Sequence, residues 1–463
     1  MTTPSPCDLL ITDAVLVPRA ARDAVLPDGA VAITGDTITA VGPTAELVRS
    51  HAPRRVVSAQ GGIVMPGFVN THNHAPLKIV RGIAPDLGFA PAYIKGIPQG
   101  DALSDEDALV LARAGTLELL CRGSTTVVDH YQHAEACAQA AAETGVRALV
   151  GGRILDTDVS ALARGEWRRD PARAERTIRD TVDLIERWSG FDGGRIQGVV
   201  AAHAPDTCSP ELLAEVRDLA SARGSRLHIH LAQSPLEVER VAARTGLHPV
   251  DLLDSLGLLS ESLVAAHCIR IGEDHIRRLG AAGVAVAHTP VGNAQGGMTA
   301  AAWDLHRAGA RVSLCTDSKS ADMFEVMRAA LWVARIRGAG FAIDAATVLH
   351  WATAGGAQAL GLGDQVGVIA PGFKADLLVL DPEDLALQPL ADPIGVLVHC
   401  GSGHQVRHVV VAGRLVVEER APTRLRRDQV LAEVRRTADR LWRASGFQAG
   451  RPRPETTAME AQA

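Results

Sequence analysis

The chain is 463 residues long, 47% hydrophobic and 22% charged, which is ordinary usage for a folded soluble protein and leaves room for one large domain plus a small one. Its formal net charge of -6 is mild and spread along the chain, so nucleic acid is excluded as a partner and a small molecule is expected. Seven scattered cysteines include no C-x-x-C pair, which argues against a disulfide framework or a thiolate zinc site and suits a reducing cytoplasm.

In chain order, the opening MTTPSPCDLL lacks the basic flank and long apolar run of a signal peptide. No later stretch approaches roughly 20 uninterrupted apolar residues, so no membrane segment is expected. DLLITDAVLVP, GAVAITGDTITAVGP and RRVVSAQGGIVMPG alternate short β-type runs with turn residues. From about residue 63 to 370 the texture changes, and eight short apolar runs alternate with helix-like stretches: IVMPGFVNTHNH (63 to 74), TTVVDH (125 to 130), RALVGGRIL (147 to 155), RIQGVVAAHA (195 to 204), RLHIHLAQ (226 to 233), SLVAAHC (262 to 268), VAVAHTP (284 to 290) and RVSLCTDS (311 to 318). Between them, segments such as DEDALVLARAGTLELLCRG and SPELLAEVRDLASARG carry a capping Ser or Asp, a helical apolar stripe and a closing Gly. Eight such units close a TIM-type barrel, whereas an open nucleotide-binding sheet has fewer strands and a Gly-rich turn that is missing here. After residue 371, ADLLVLDP, VLVHCG and QVRHVVVAGRLVVEE return to strand texture. The expectation is an α/β protein: a (β/α)8 barrel over 63–370, a small β-sandwich composed of 1–62 and 371–425, and a helix with a frayed tail over 426–463.

Polar residues interrupt these runs at their C-terminal ends, the face on which barrel active sites sit. His72 and His74 are two apart, so an extended chain points both to one side. His228 and His230 share a face of the fifth run, with His230 nearer the mouth, while His267 ends the sixth and Asp317 the eighth. One strand-end histidine is more often a packing residue than a ligand. Three imidazoles and a carboxylate reaching one mouth form a mixed N/O shell suited to Zn2+ or Fe2+, with a position open for water. A divalent cation lowers the pKa of such a water from 15.7 toward ~7, and carboxylate and imidazole then move protons within hydrogen-bond reach.

PGFVNTHNH, RLHIHLAQ, LVAAHC, VAVAHTPVGN and LCTDS, with the return segment APGFKADLLVLDP, resemble the amidohydrolase superfamily, and within it the cytosine deaminase and s-triazine hydrolase branch, over nearly the whole chain. The resemblance implies a hydrolase of carbon–nitrogen bonds other than peptide bonds, taking an amino group off a nitrogen heterocycle with an activated water. It implies one divalent metal, zinc ahead of iron, on His72, His74, His230 and Asp317. His267 would orient the water and polarise the group under attack, and Asp317 would take the water's proton and pass it to the leaving group. A homo-oligomer is implied as well. Binuclear members bridge two metals through a carboxylated lysine on the fourth strand. RIQGVVAAHA has no lysine, and the lysines of this chain are Lys78, Lys95, Lys319 and Lys374.

One departure bears on the reaction. The deaminases it resembles place a Glu three residues after the fifth-strand ligand to protonate a ring nitrogen, and this chain has Gln233. An amide donates and accepts hydrogen bonds but delivers no proton. Either another acid serves, with Asp129, His130, His203, His288 and Glu237 as candidates, or the substrate needs none. Hydrolysis of a cyclic amide or of a C–Cl or C–S bond on such a ring therefore stays open, as does a metal-binding protein that has lost catalysis. His203 and His288 are candidates for touching substrate. Lys319, two residues past Asp317, is a candidate for an anionic group, or else a solvated loop lysine. The loop after the first run offers Phe89, Tyr93, Lys95 and Gln99, with Tyr93 and Gln99 taken as substrate-binding. It lacks the Trp and Glu of relatives that deaminate nucleosides like S-adenosylhomocysteine, which weakens a nucleoside as substrate. Cys208, Cys268 and Cys315 are expected as small buried hydrophobes. Elemental analysis of the purified protein should find one equivalent of tightly bound divalent metal per chain, and two equivalents would overturn the mononuclear expectation.

Overall fold

Burial on both faces is what parallel barrel strands require, and eight short segments meet it. In the computed structural model, which describes residues 3–86, 94, 96–162 and 164–446, the barrel strands are β1 (Phe68–Asn73), β2 (Ser124–His130), β3 (Arg147–Gly151), β4 (Ile196–Gly198, continued by Val200–Ala201), β5 (Leu227–Leu231), β6 (Leu263–His267), β7 (Ala285–His288) and β8 (Arg311–Leu314). All their pairings are parallel. They form two arcs that meet at β4, whose first part pairs with β3 and whose second part pairs with β5. At the other seam a single parallel bridge joins Asn73 to Asp317, and side chains supply the rest. The Asn70 amide donates to Thr316 Oγ1 (2.7 Å) and accepts from the Thr316 N–H (3.0 Å), and the Thr71 hydroxyl donates to the Leu314 carbonyl (3.1 Å). The architecture is a TIM-type (β/α)8 barrel. Ser104 and Ser209 cap the helices Asp105–Cys121 and Pro210–Ala222, as their sequences foretell.

The other strands form one nine-stranded sheet drawn from both ends of the chain. Leu377–Leu380 pairs antiparallel with Ile63–Pro66, which in turn pairs parallel with Ser5–Leu16. The sheet curls until Thr37 bridges Lys374 and the Ile38 N–H donates to the Phe373 carbonyl (2.8 Å). Leu9, Ile11, Ile33, Val64, Leu377 and Val379 fill the space between its halves, which makes the small β-sandwich. Helix Arg427–Ala444 lies on helix Asp105–Cys121, packing Val430 against Ala114 and Leu117.

Several segments differ from expectation. The run 63 to 74 is divided at Gly67, so that Ile63–Pro66 joins the sandwich sheet and only Phe68 onward enters the barrel. A Cβ at Gly67 would stand 2.0 Å from Thr125 Oγ1, so the chain crosses between the two sheets in contact with β2 and only glycine fits. VLVHCG, expected as a strand, ends the helix Pro393–His399. Its buried residues Ile394, Leu397 and Val398 follow a helical stripe that a short apolar run disguises. The third run stops at Gly151, short of residue 155.

Barrel and sandwich are tied by a buried ion pair. Arg147 of β3 grips Asp376 through Nε–Oδ2 (2.7 Å) and Nη2–Oδ1 (3.0 Å), with side chains 5% and 1% exposed. Asp376 also accepts the Ala412 N–H (2.7 Å). No helix among the described residues is long and apolar enough to cross a membrane. In denaturant titrations Arg147→Ala, which strands a buried carboxylate, should lose about 3–5 kcal/mol. Arg443→Ala, whose partner Asp439 is exposed, should stay within about 0.5 kcal/mol. Equal losses would mean that the buried pair does not join the two parts.

Candidate metal centre

His72 and His74 leave β1 on one side, His230 comes from β5, and Asp317 stands just past β8. Ligand nitrogens of the three histidines lie within 4.8 Å of one another, and Asp317 Oδ1 is 3.5 Å from His74 Nε2. All four side chains are buried.

The second ring nitrogens decide what the first can do. His74 Nδ1 faces the His130 carbonyl at 2.5 Å, and His230 Nδ1 faces the His203 carbonyl at 2.6 Å. A carbonyl only accepts, so each Nδ1 carries a proton. Burial, then Arg153 and neighbouring imidazoles for His74 and neighbouring imidazoles for His230, hold both rings well below the usual histidine pKa and therefore neutral. Their Nε2 atoms are lone-pair acceptors, and they face each other at 3.3 Å. Such an approach is repulsive unless something electron-poor lies between. His72 Nε2, on a ring also kept neutral mainly by burial, is enclosed with no hydrogen-bond partner. Three imidazole nitrogens and a carboxylate oxygen are a donor set that fits a divalent zinc or iron ion, with the outer nitrogens of His74 and His230 already oriented by carbonyls.

The backbone that presents these groups is strained in the same places. Ala232 (φ 49°) after β5, His267 (77°) and Cys268 (50°) at the end of β6, and Asp317 (52°) after β8 all have left-handed φ, which costs on the order of 1–3 kcal/mol each and is typical of functional sites. Glu237 secures the first of these turns by accepting the N–H groups of Ala232 (2.7 Å) and Gln233 (2.8 Å). The Asp317 N–H donates to the His72 carbonyl (3.1 Å), joining two candidate ligands across the seam.

The other candidate residues distribute around this cluster. The His267 ring stacks 5.5 Å from that of His230 and lies 5.8 Å from that of His72. Gln233 is buried just beyond the strained turn. Glu237, weighed as an acid, is committed to backbone, with burial and then Asp206 pushing its carboxyl up. His203 stands two residues past β4 with its ring 5.2 Å from that of His230. Asp129 accepts the Ala75 N–H (3.2 Å), and burial pushes its carboxyl up to about 7. His130 stacks on His230 at 5.1 Å. His288 ends β7, pushed down to about 3 by burial and by His267. It also lines a cavity of about 310 Å3 with Ala301, Trp303 and Arg337. Lys319 is partly buried, which lowers its pKa against the opposing pull of Asp317. Gln99 is partly buried and precedes the turn Gly100–Ala102, where Tyr131 Oη accepts the Gly100 N–H (2.8 Å). Tyr93, with Phe89 and Lys95, lies outside the described residues. Cys208, Cys268 and Cys315 are free buried thiols, that of Cys208 pushed up to about 12 by burial.

Arg153 escaped the sequence reading. Its guanidinium donates to the His130 carbonyl (3.3 Å), lies 4.9 Å over the Tyr131 ring, and adds to the burial that depresses the pKa of His72, His74, His130 and His203. The rule that found the histidines, a polar residue at a strand end, would have found it had the third run been ended at Gly151.

The amidohydrolase family model matches residues 63–416, and a bacterial imidazolonepropionase-like composite domain matches residues 29–52. The chain is 34% identical to a 5-methylthioadenosine/S-adenosylhomocysteine deaminase of Pelotomaculum thermopropionicum, covering 94% of this chain and 99% of that one. It is 32% identical to an adenosine deaminase of Xanthomonas campestris solved with bound zinc, with a TM-score of 0.86 over 95% of this chain and 99% of that one. An atrazine chlorohydrolase of Arthrobacter aurescens, solved with zinc, shares the fold at 23% identity, with a TM-score of 0.82 over 93% of this chain and 100% of that one.

The buried neutral imidazoles make stability depend on pH. His228 and His288 titrate at about 3 when folded, mainly through burial, against ~6.5 when unfolded. The unfolded chain therefore takes up these protons first, and stability present above pH ~6.5 is lost as pH falls toward 3, by up to about 1.4 kcal/mol per pH unit for each ring. His228→Gln should lose stability less steeply than the parent between pH 6.5 and 4 in urea titrations. Identical slopes would show that folding does not suppress protonation of His228.

Proposed function

Because the chain belongs to the amidohydrolase family, we propose that it is a mononuclear zinc enzyme that takes an exocyclic amino group off a nitrogen heterocycle, with the ion on His72, His74, His230 and Asp317. Membership and its deaminase relatives make it a metal-dependent hydrolase of carbon–nitrogen bonds. What carries the metal reading is the pair of Nε2 lone pairs held face to face at 3.3 Å beside a carboxylate, and the lack of a lysine on the fourth strand favours a single ion. Zinc is preferred over iron because it is the ion in the Xanthomonas deaminase.

A cation bound there supplies Lewis acidity and brings the pKa of water toward ~7. The chain's own groups do the rest. His74 and His230 offer lone pairs that their carbonyl partners keep aimed inward. Asp317 accepts a proton from the attacking water and returns it to the departing amine. His267 orients that water. His203, His288, Lys319 and Gln99 are proposed to contact substrate. Gln233 holds the ring by hydrogen bonds without protonating it. The relatives' substrates are adenosine derivatives, so an aminated purine heads the list, although the loop after β1 lacks a Trp and a Glu. All seven cysteines are free, which fits the reducing cytoplasm we assign to it.

Gln233 favours a second reading, hydrolysis of a C–Cl or C–S bond or of a cyclic amide, where no ring nitrogen needs a proton. Assays of zinc-loaded protein on aminated purine nucleosides and on aminated and chlorinated triazines separate the two. The expected result is stoichiometric ammonia with the ring intact, abolished by chelation and restored by zinc. Chloride or thiol without ammonia would establish the second reading, and no turnover on any compound would indicate lapsed catalysis. Gln233→Glu should raise kcat on the aminated substrate by about 10^2-fold or more, the lower end of what a placed acid contributes. An unchanged rate would remove position 233 from the chemistry.

A further inference from the structure

We infer that Thr289 and Asn293 are positioning residues that fix the tautomer of His267, so that this imidazole meets the attacking water as a hydrogen-bond acceptor; the catalytic consequence rests on the aminohydrolase reading above. His267 Nδ1 lies 2.9 Å from Thr289 Oγ1 and 3.2 Å from Asn293 Oδ1, and Thr289 Oγ1 lies 2.6 Å from Asn293 Oδ1. The three side chains are buried. With the Asn293 amide turned so that Oδ1, and not the unpartnered Nδ2, faces both groups, it has no proton to give, and the hydroxyl proton of Thr289 points to Asn293. Toward His267 the threonine oxygen then has only lone pairs. Facing two acceptors, Nδ1 is the protonated nitrogen, and Nε2 carries the lone pair.

Three neighbouring rings follow the same rule. His74 and His230 commit Nδ1–H to carbonyls, and His203 commits it to Thr207 Oγ1 (2.8 Å), whose own proton goes to the Ala204 carbonyl (3.1 Å). The local sequence explains why the pair sits where it does. Thr289 is the N-cap of the short helix Pro290–Gln295, and the Asn293 N–H donates to the Thr289 carbonyl (2.9 Å), so one helical turn sets the two side chains against each other. His267 is thrust toward them by its left-handed φ of 77° at the end of β6.

The two duties that family resemblance gives His267 call for opposite tautomers. Orienting water for attack on the ring uses an Nε2 lone pair, whereas polarising the group under attack uses an Nε2 proton. The network selects the first in the resting enzyme. Asp317 is then the acceptor of the transferred proton, and His267 accepts a hydrogen bond from the same water without taking its proton.

The direct test is long-range 1H–15N NMR on 15N-histidine-labelled protein, with His267 identified by the signals lost in His267→Gln. Wild-type protein should show a protonated Nδ1 and an unprotonated Nε2. Thr289→Val, nearly isosteric but without the hydroxyl, should mix the tautomers and lower kcat by about 10–100-fold, the usual effect of losing a partner of this kind, with KM little changed. Thr289→Ser should restore both readouts, and Asn293→Asp should keep the Nδ1–H form. An Nε2–H form in the wild type overturns the inference, as does a Thr289→Val protein with unaltered tautomer and kcat. If that variant does not fold, the wild-type spectrum decides alone. The spectrum needs no turnover, so failure of the substrate assays and failure of this inference are separately visible.

Discussion

Two imidazole lone pairs held 3.3 Å apart organise this molecule. The carbonyls of His130 and His203 hold the Nδ1 protons of His74 and His230, and burial keeps the rings from taking up a second proton. Neither ring can relieve the repulsion by changing tautomer or by charging. A cation between them would relieve it, and the carboxylate of Asp317 lies 3.5 Å from His74 Nε2. Selectivity for a divalent ion then follows from donor type, since neutral imidazoles with one carboxylate favour zinc or iron over the hard oxygen-seeking cations.

Holding that geometry requires constraint from a distance. The ring of strands is weakest where β8 meets β1, and there side-chain hydrogen bonds from Asn70 and Thr71 take over from the ladder. The Asp317 N–H bonded to the His72 carbonyl spans the same seam, so a contact that closes the barrel also joins two candidate ligands. Left-handed residues at the ends of β5, β6 and β8 are tolerated because neighbours over-determine them, as Glu237 does for Ala232 and Gln233. The sandwich contributes through Arg147 and Asp376, which anchor β3 from outside the ring.

Burial favours neutrality of the rings in the cluster and leaves positive charge to Arg153. Arg153 lies against Tyr131, whose hydroxyl also holds the turn at Gly100. One short stretch at the end of β2 thus connects the guanidinium, the loop after β1 and the carbonyl that orients His74. Gln233 is buried next to the left-handed Ala232, and its amide carries no transferable proton.

The sequence by itself determined the barrel, its flanking sandwich and which histidines gather, because strand periodicity and residue parity are local properties. Residues two apart in a strand must share a side, so His72 and His74 needed no tertiary information to be paired. Which nitrogen of each ring carries the proton was decided only by the fold, since that depends on carbonyls and hydroxyls brought from β2, β4 and the turn after β7. The same holds for Arg153, hidden inside an apolar run until the end of β3 was known, and for VLVHCG, where packing of Ile394, Leu397 and Val398 selects a helix from a pattern equally compatible with a strand. Local patterning names the elements; hydrogen-bond direction and charge state arise only where distant segments meet without water.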